Sequence, residues 1–237
     1  MMLTEESGIE TVLCIEFSLI FSEISPAEFI ETILVEKVRV KKVIIGYNYH
    51  FGKGQRGDAQ TLKEAGKALD FEVEVVEPLR VGQTIVSSSK IRALIQRGEV
   101  EEASELLGRD YPIIGKVVEG AKRGQALGFP TANLEISDEL YPKTGVYAVE
   151  VVWHQRRFNG LANIGSNPTF SPQIGGRAER FSLEVHILDF NRMIYGKEIE
   201  VHFKKRIRDE VQFESPSLLI EQIKKDIRFA NENVFRT

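Results

Sequence analysis

Cysteine is nearly absent: Cys14 is the only one in 237 residues. That excludes an internal disulfide and any cysteine-based zinc site. Its neighbours Val12, Leu13 and Ile15 predict a buried, inert thiol. Histidine is scarce as well. His50, His154, His186 and His202 stand apart from one another, so no histidine-based metal site is expected. No apolar run approaches the roughly 18 residues that span a bilayer, and Met1 to Glu6 lacks the basic and apolar regions of a signal peptide. A cytoplasmic protein with no membrane partner is the expectation. Neither sign of charge dominates, since 31 Lys and Arg oppose 35 Asp and Glu for a net charge of −4. A nucleic-acid partner held by a broad positive field is therefore not expected. Internal repeats, heptads and low-complexity runs are missing too. What is present, 42% apolar and 28% charged residues, belongs to a globular chain rather than a disordered one.

The first half alternates strand and helix signals. Thr11 to Phe17 is an apolar run of strand length. Ser25-Pro26-Ala27-Glu28 carries a capping residue, a proline for the first helical position and a Glu three residues after the cap. Phe29, Ile30, Ile33 and Leu34 continue with helical spacing. Val43 to Gly46 reads as a second strand, Asp58 to Leu69 as a helix with Leu62, Ala65 and Leu69 inward, and Phe71 to Val76 as a third strand. Ser87-Ser88-Ser89 opens a further helix with Ile91, Leu94 and Ile95 on one face, stopped by Gly98; Val100 to Leu107 forms another, ended by Gly108. This alternation predicts a partial doubly wound, Rossmann-like parallel α/β domain over 1–108.

The second half, 109–237, carries strand-length runs at Ile113–Val118, Val146–Trp153, Phe158–Ile164, Phe181–Leu188 and Ile199–Phe203. Glycine and proline punctuate them, Gly145, Gly160, Pro168, Gly175, Gly176 and Gly196 among others. A small antiparallel β-barrel follows from that spacing. Ser215-Pro216 begins a C-terminal helix with Leu219, Ile223, Ile227 and Ala230 on one side, long enough to cover a barrel mouth. The class is α/β plus all-β.

Chemistry concentrates after the first barrel strand. Gly120, Gly124 and Gly128 surround Lys122 and Arg123. Glycines let backbone N–H groups approach phosphate oxygens, and the cations add charge. Pro130 stiffens the approach to an extended Thr131-Ala132-Asn133, which turns a hydroxyl and an amide to one face. Both oxygens suit a hard cation such as Mg²⁺. In Ser182-Leu183-Glu184-Val185-His186-Ile187, alternation sends Leu183, Val185 and Ile187 inward and Ser182, Glu184 and His186 outward. Glu184 on a rigid strand is a candidate general base; His186 is a weaker candidate proton carrier.

Gly124 through Asn133, Gly145-Val146-Tyr147, Asn163-Ile164-Gly165 with Pro168-Thr169-Phe170, Leu183 through His186, Tyr195-Gly196 and Ile207-Arg208-Asp209-Glu210 with Phe213 occur in the order found in riboflavin kinases. The stretch from Tyr111 to Val234 resembles that family throughout. Residues 10–108 resemble the latter part of the FMN adenylyltransferase domain that precedes the kinase in bacterial bifunctional FAD synthetases, through Gly46 to Gly52 and Ser87 to Arg92. The resemblance implies transfer of the terminal phosphoryl group of ATP, with Mg²⁺, to the ribityl 5′-hydroxyl of riboflavin, giving FMN and ADP. It implies ATP contacts from Gly120, Lys122, Arg123, Gly124 and Gly128, metal and phosphate contacts from Thr131 and Asn133, and proton acceptance by Glu184. Arg208 is expected to shape the flavin side. Gln125 stands where the family commonly has Arg.

In the adenylyltransferase region the resemblance implies contacts from Asn48, Ser87, Ser88, Ser89 and Arg92, but the His-x-Gly-His pair of that family does not occur. A truncated, inactive adenylyltransferase remnant is the expectation, with an exposed sheet edge suited to self-association. Two other readings stay open: a bifunctional FAD synthetase that also adenylylates FMN, and a non-catalytic flavin- or nucleotide-binding protein.

Overall fold

The computed structural model describes residues 4, 7–120, 123–136, 140–168 and 179–235. Two compact units divide the chain, Met1–Leu79 and Arg80–Thr237. In the first, a short α1 (Leu19–Ser22) precedes α2 (Pro26–Glu28), where the Ser25 hydroxyl accepts the Glu28 N–H at 3.1 Å and Pro26 holds the first helical position. The helix then widens into a ten-residue π-helical segment, Phe29–Val38, closed by Arg39 in the left-handed conformation. Apolar spacing anticipated the helix but not its widened form. Strand β1 (Lys42–Gly46), helix α3 (Ala59–Leu69) and strand β2 (Glu72–Val76) complete an alternation of strand, helix and strand, with Lys42 opposite Glu72 and Gly46 opposite Val76 in a parallel pair. Asp58 caps α3 by accepting the Thr61 N–H at 2.8 Å. Ile30, Ile45, Phe51, Leu62 and Phe71 form the core of this unit.

Three expectations for this unit are corrected. Thr11 to Phe17 is not a strand: a strand exists through its ladder, and among the described residues none pairs with this run. Cys14 is consequently exposed rather than buried, among similarly exposed Val12, Leu13 and Ile15. Leu69, at the last position of α3, is 38% exposed, and Gly66 takes the inward place instead.

The second unit begins with a hairpin of β3 (Arg80–Val81) and β4 (Thr84–Ile85) that sequence reading missed because each strand has two residues. Helix α4 (Ser88–Arg97) and helix α5 (Val100–Leu107) end at Gly98 and Gly108 as expected. Leu94, Ile95, Ala103 and Leu106 pack together, with Ile91 and Tyr111 beside them, and Val100 joins the barrel core. These helices thus share a compact unit with the barrel, although composition changes only after Gly108.

Six strands close the barrel in the order β10-β5-β6-β9-β8-β7: β5 (Tyr111–Val118), β6 (Ala132–Glu135), β7 (Gly145–Trp153), β8 (Arg156–Pro168), β9 (Glu179–Ile187) and β10 (Glu198–Arg208). Every neighbouring pair is antiparallel. Closure removes the free edges that an open sheet would present. Tyr147, Val149, Val151, Ala162, Ile164, Leu183, Val185, Ile199, Val201 and Phe203 fill the interior. A four-residue helix, α6 (Arg123–Ala126), interrupts the link from β5 to β6.

Helix α7 (Pro216–Asn233) is capped by Ser215, whose hydroxyl accepts the Leu218 N–H at 3.4 Å. It lies on the outer barrel wall rather than across a mouth: Ala230 and Ile227 pack on Ala148 and Leu161, which alternate with the interior residues of β7 and β8. An ion pair fastens it. Arg208, at the end of β10, donates from Nε and Nη2 to Asp226 Oδ2, both at 2.9 Å, and Asp226 is 3% exposed. Gln222 donates to its other oxygen at 2.8 Å. No helix among the described residues is long and apolar enough to cross a membrane.

Two stability outcomes follow. Alanine normally improves a helix over glycine by about 1 kcal/mol, but a Cβ on Gly66 would sit 2.5 Å from the Phe71 carbonyl oxygen. That oxygen is backbone and cannot swing aside, so Gly66→Ala should destabilise by about 1–3 kcal/mol in denaturant titration. Asp226→Ala strands a guanidinium that keeps a 20% exposed side chain. The expected loss is about 2–3 kcal/mol, below the ~3–5 of a fully dry pair, because Arg208 can still reach water.

Candidate active site

Antiparallel register, not sequence proximity, assembles the polar cluster. Asn133 on β6 and Asn163 on β8 are both the cross-strand partners of Glu184 on β9. Since Leu134, Ile164, Leu183 and Val185 point into the barrel, the three polar side chains form one row across its outer face. Thr131, just before β6, places its hydroxyl 3.4 Å from Glu184 Oε2, which accepts its hydrogen.

Beside this row lies a cavity of about 630 Å³. Thr131, Glu184, Asn163 and Gly124 line it together with Arg208, Glu210, Phe213 and the start of α7. Leu161, Val146 and Leu219 add an apolar floor. Such a mixture, apolar walls with a few convergent polar groups, suits an organic substrate with a charged or hydroxylated end.

The loop before β6 is shaped for close approach. A Cβ on Gly120 would collide with the Asn133 amide as it stands, so any other residue there would displace that side chain. Gly128 adopts φ +87° and ends the turn at α6. The Phe129 N–H then bonds back to the Gly124 carbonyl at 2.8 Å. Lys122 lies outside the described residues, as do the side chain of Arg123 and the segment with Thr169, Phe170, Gly175 and Gly176.

Arg206, which does not line the cavity, ties down the start of the 209–215 loop. It donates to the Thr144 carbonyl at 2.7 Å and to Asp209 at 2.6 Å. The Arg206 hydrogen bond, then its charge and that of Lys143, hold the Asp209 carboxyl below its usual range. This tie is present above the ordinary carboxylate pKa and is lost as pH falls through the lowered value. Burial pushes the Tyr147 phenol up, beneath the same guanidinium. Arg208 is not a free surface cation: besides Asp226 it donates to the Asp209 carbonyl at 3.0 Å and lies 5.8 Å from the Phe213 ring centre.

The structure therefore brings together Thr131, Glu184, Gly124 and Arg208 around one cavity, with Asn133 adjoining through the register and packed under Gly120. Sequence reading missed Asn163, Ser182 and Glu210 as cavity residues. No local pattern singles out Asn163, since β8 also carries Asn159 and Asn167; its place comes from the register opposite Glu184. In the first unit Asn48 sits in an exposed turn after β1, its carbonyl 3.0 Å from His50 Nδ1. In the second, Ser87 caps α4 by accepting the Lys90 N–H at 3.3 Å, and Ser88, Ser89 and Arg92 are exposed in its first turns.

Comparison with known proteins identifies the family. Residues 107–234 match the family model for riboflavin kinase, and residues 1–90 match that for FAD synthetase. The chain is 38% identical to the bifunctional riboflavin kinase/FMN adenylyltransferase of Bacillus subtilis, over 94% of its own length and 69% of the relative's. The enzyme of that name from Escherichia coli strain K12 is 36% identical over 96% of this chain and 71% of its own. Among solved structures, one described as a macrolide-efflux protein from Streptococcus pneumoniae superposes with a TM-score of 0.85 at 34% identity, covering 96% of this chain and 72% of that one. With a family model spanning the whole barrel and relatives aligned over nearly the whole chain, this protein belongs to the bifunctional riboflavin kinase/FMN adenylyltransferase family.

Proposed function

We propose that this chain phosphorylates the ribityl 5′-hydroxyl of riboflavin from ATP, with Glu184 as the proton acceptor and Thr131 and Asn133 on the phosphate side. The observation that carries the assignment is Thr131, Glu184 and Asn163 together on the wall of a single cavity, with Asn133 adjoining Glu184 through the strand register. Phosphoryl transfer asks little covalent chemistry of a protein and much alignment. Glu184, on a strand pinned by core residues on either side, is positioned to take the hydroxyl proton as the new O–P bond forms and the bond to the ADP oxygen breaks. The apolar floor of Leu161, Val146 and Leu219 suits the flavin ring, with Arg208 at that end.

The donors near Thr131 fit a hard divalent cation: a hydroxyl, an amide oxygen and a carboxylate, beside a loop where glycine leaves room for phosphate. Thr131 and Asn133 would hold Mg²⁺ together with the phosphates of ATP, and Gly120, Lys122, Arg123, Gly124 and Gly128 would surround the nucleotide. The ion, when bound, neutralises charge on the transferring group. Residues 109–237 form the kinase in this reading and residues 1–108 the adenylyltransferase-like part.

A second reading, adenylylation of FMN, is favoured by the FAD synthetase match over residues 1–90. It assigns contacts to Asn48, Ser87, Ser88, Ser89 and Arg92, while the polypeptide carries no His-x-Gly-His pair.

Incubating the purified chain with Mg²⁺ and ATP, and offering riboflavin and FMN separately, tells the readings apart. FMN and ADP from riboflavin are expected; FAD and pyrophosphate from FMN would establish the second activity. Riboflavin bound without ADP release would contradict the kinase reading. Glu184→Gln should lower kcat by about 10²- to 10⁴-fold, with both KM values changed far less. Near-normal turnover in that variant would remove Glu184 from its role.

A further inference from the structure

His186 takes no part in the transfer described above, yet it lies between the large cavity and a second, smaller one on the outer face of β8 and β9. Its ring is T-shaped to Phe129 with centres 5.5 Å apart, and its Nδ1 is 2.8 Å from the Pro130 carbonyl oxygen. A carbonyl can only accept, so Nδ1 carries the hydrogen. This bond joins residues 56 apart in sequence.

Its target is informative. The Pro130 carbonyl belongs to the peptide plane that also contains the nitrogen and Cα of Thr131. The proline ring already restricts φ at that residue, which leaves ψ as the free rotation. Anchoring the carbonyl oxygen removes that rotation and thereby fixes where the Thr131 side chain begins. From there the Thr131 hydroxyl reaches Glu184, which lies two residues before His186 on the same face of β9.

We propose that His186 is a positioning residue for Thr131: by holding the Pro130 carbonyl, the strand that carries Glu184 also sets the phosphate-side hydroxyl opposite it. The inference rests on the placement of Thr131 in the nucleotide site. It does not require His186 to exchange a proton with substrate.

Substitution at His186 discriminates this from a plain packing role. Asn places an amide N–H near the Nδ1 position, Gln places one near Nε2, and Ala removes both. Equilibrium titration of ATP with Mg²⁺, without riboflavin, should show His186→Ala binding about tenfold more weakly than the unaltered protein, the effect of one lost hydrogen bond. His186→Asn should return to within about twofold, and His186→Gln should resemble Ala. Riboflavin affinity should move less than about twofold in all three, and steady-state assays should show KM for ATP rising with kcat largely kept, the pattern of lost uniform binding. Unchanged ATP affinity in folded His186→Ala, or equal impairment in Ala and Asn, would overturn the proposal. Equal loss of ATP and riboflavin binding, accompanied by a lowered Tm, would also overturn it in favour of packing. Should the unaltered protein form no FMN while this pattern of affinities holds, the kinase reading fails and the positioning role stands; failure of the unaltered protein to bind ATP with Mg²⁺ overturns both.

Discussion

Strand β9 cannot slip by one residue without exposing Leu183, Val185 and Ile187, and that constraint creates the site. Those side chains are almost wholly buried in the barrel interior. Shifting the strand by one residue would send all of them to the outer face and bring Ser182, Glu184 and His186 into an apolar interior. The cost of burying a carboxylate there far exceeds anything the outer face could return. The same apolar contacts that hold the barrel together therefore determine where Glu184 points, and the cross-strand partners Asn133 and Asn163 inherit their places from it.

A second layer holds the two rims of the cavity. On one side Gly120, Gly124 and Gly128 let the connection from β5 to β6 fold back on itself, with α6 inside it. On the other, Arg208 lines the cavity near the end of β10, while Arg206 lies outside its lining, and the two face different tasks. Arg206 gathers Tyr147, Thr144 and Asp209, while Arg208 locks α7 through Asp226 and reaches the loop through the Asp209 carbonyl. Buried ion pairs of this kind offer little net stability over apolar replacements but define one arrangement, since either partner left alone is costly. Here that arrangement sets the distance between α7 and the barrel wall, and hence the width of the cavity.

Much of this was legible in the residues. Ser25, Asp58, Ser87 and Ser215 each cap the helix that their position announced, and the alternation around Glu184 gave its outward orientation. The misses have physical causes. Thr11 to Phe17 has the composition of a strand, but composition cannot supply a hydrogen-bonding neighbour. Leu69 has the helical spacing of an inward residue, but the last turn of α3 emerges from the core. Arg208 could not be separated from a surface cation because Asp226, its partner, lies 18 positions away on a helix whose docking face is decided by tertiary packing. The cavity role of Asn163 depends on register across β8 and β9, a relation that no local pattern encodes.

In the proposed reaction one cavity would hold the accepting hydroxyl at Glu184 and the terminal phosphate on the Thr131 side. A crystal structure with riboflavin and a non-hydrolysable ATP analogue tests it most directly. The ribityl 5′-oxygen should lie within about 2.6–3.2 Å of a Glu184 oxygen, or one water away, with the γ-phosphate beyond it toward Thr131. A nucleotide bound away from Thr131, or a ribityl chain directed away from β9, would contradict the account.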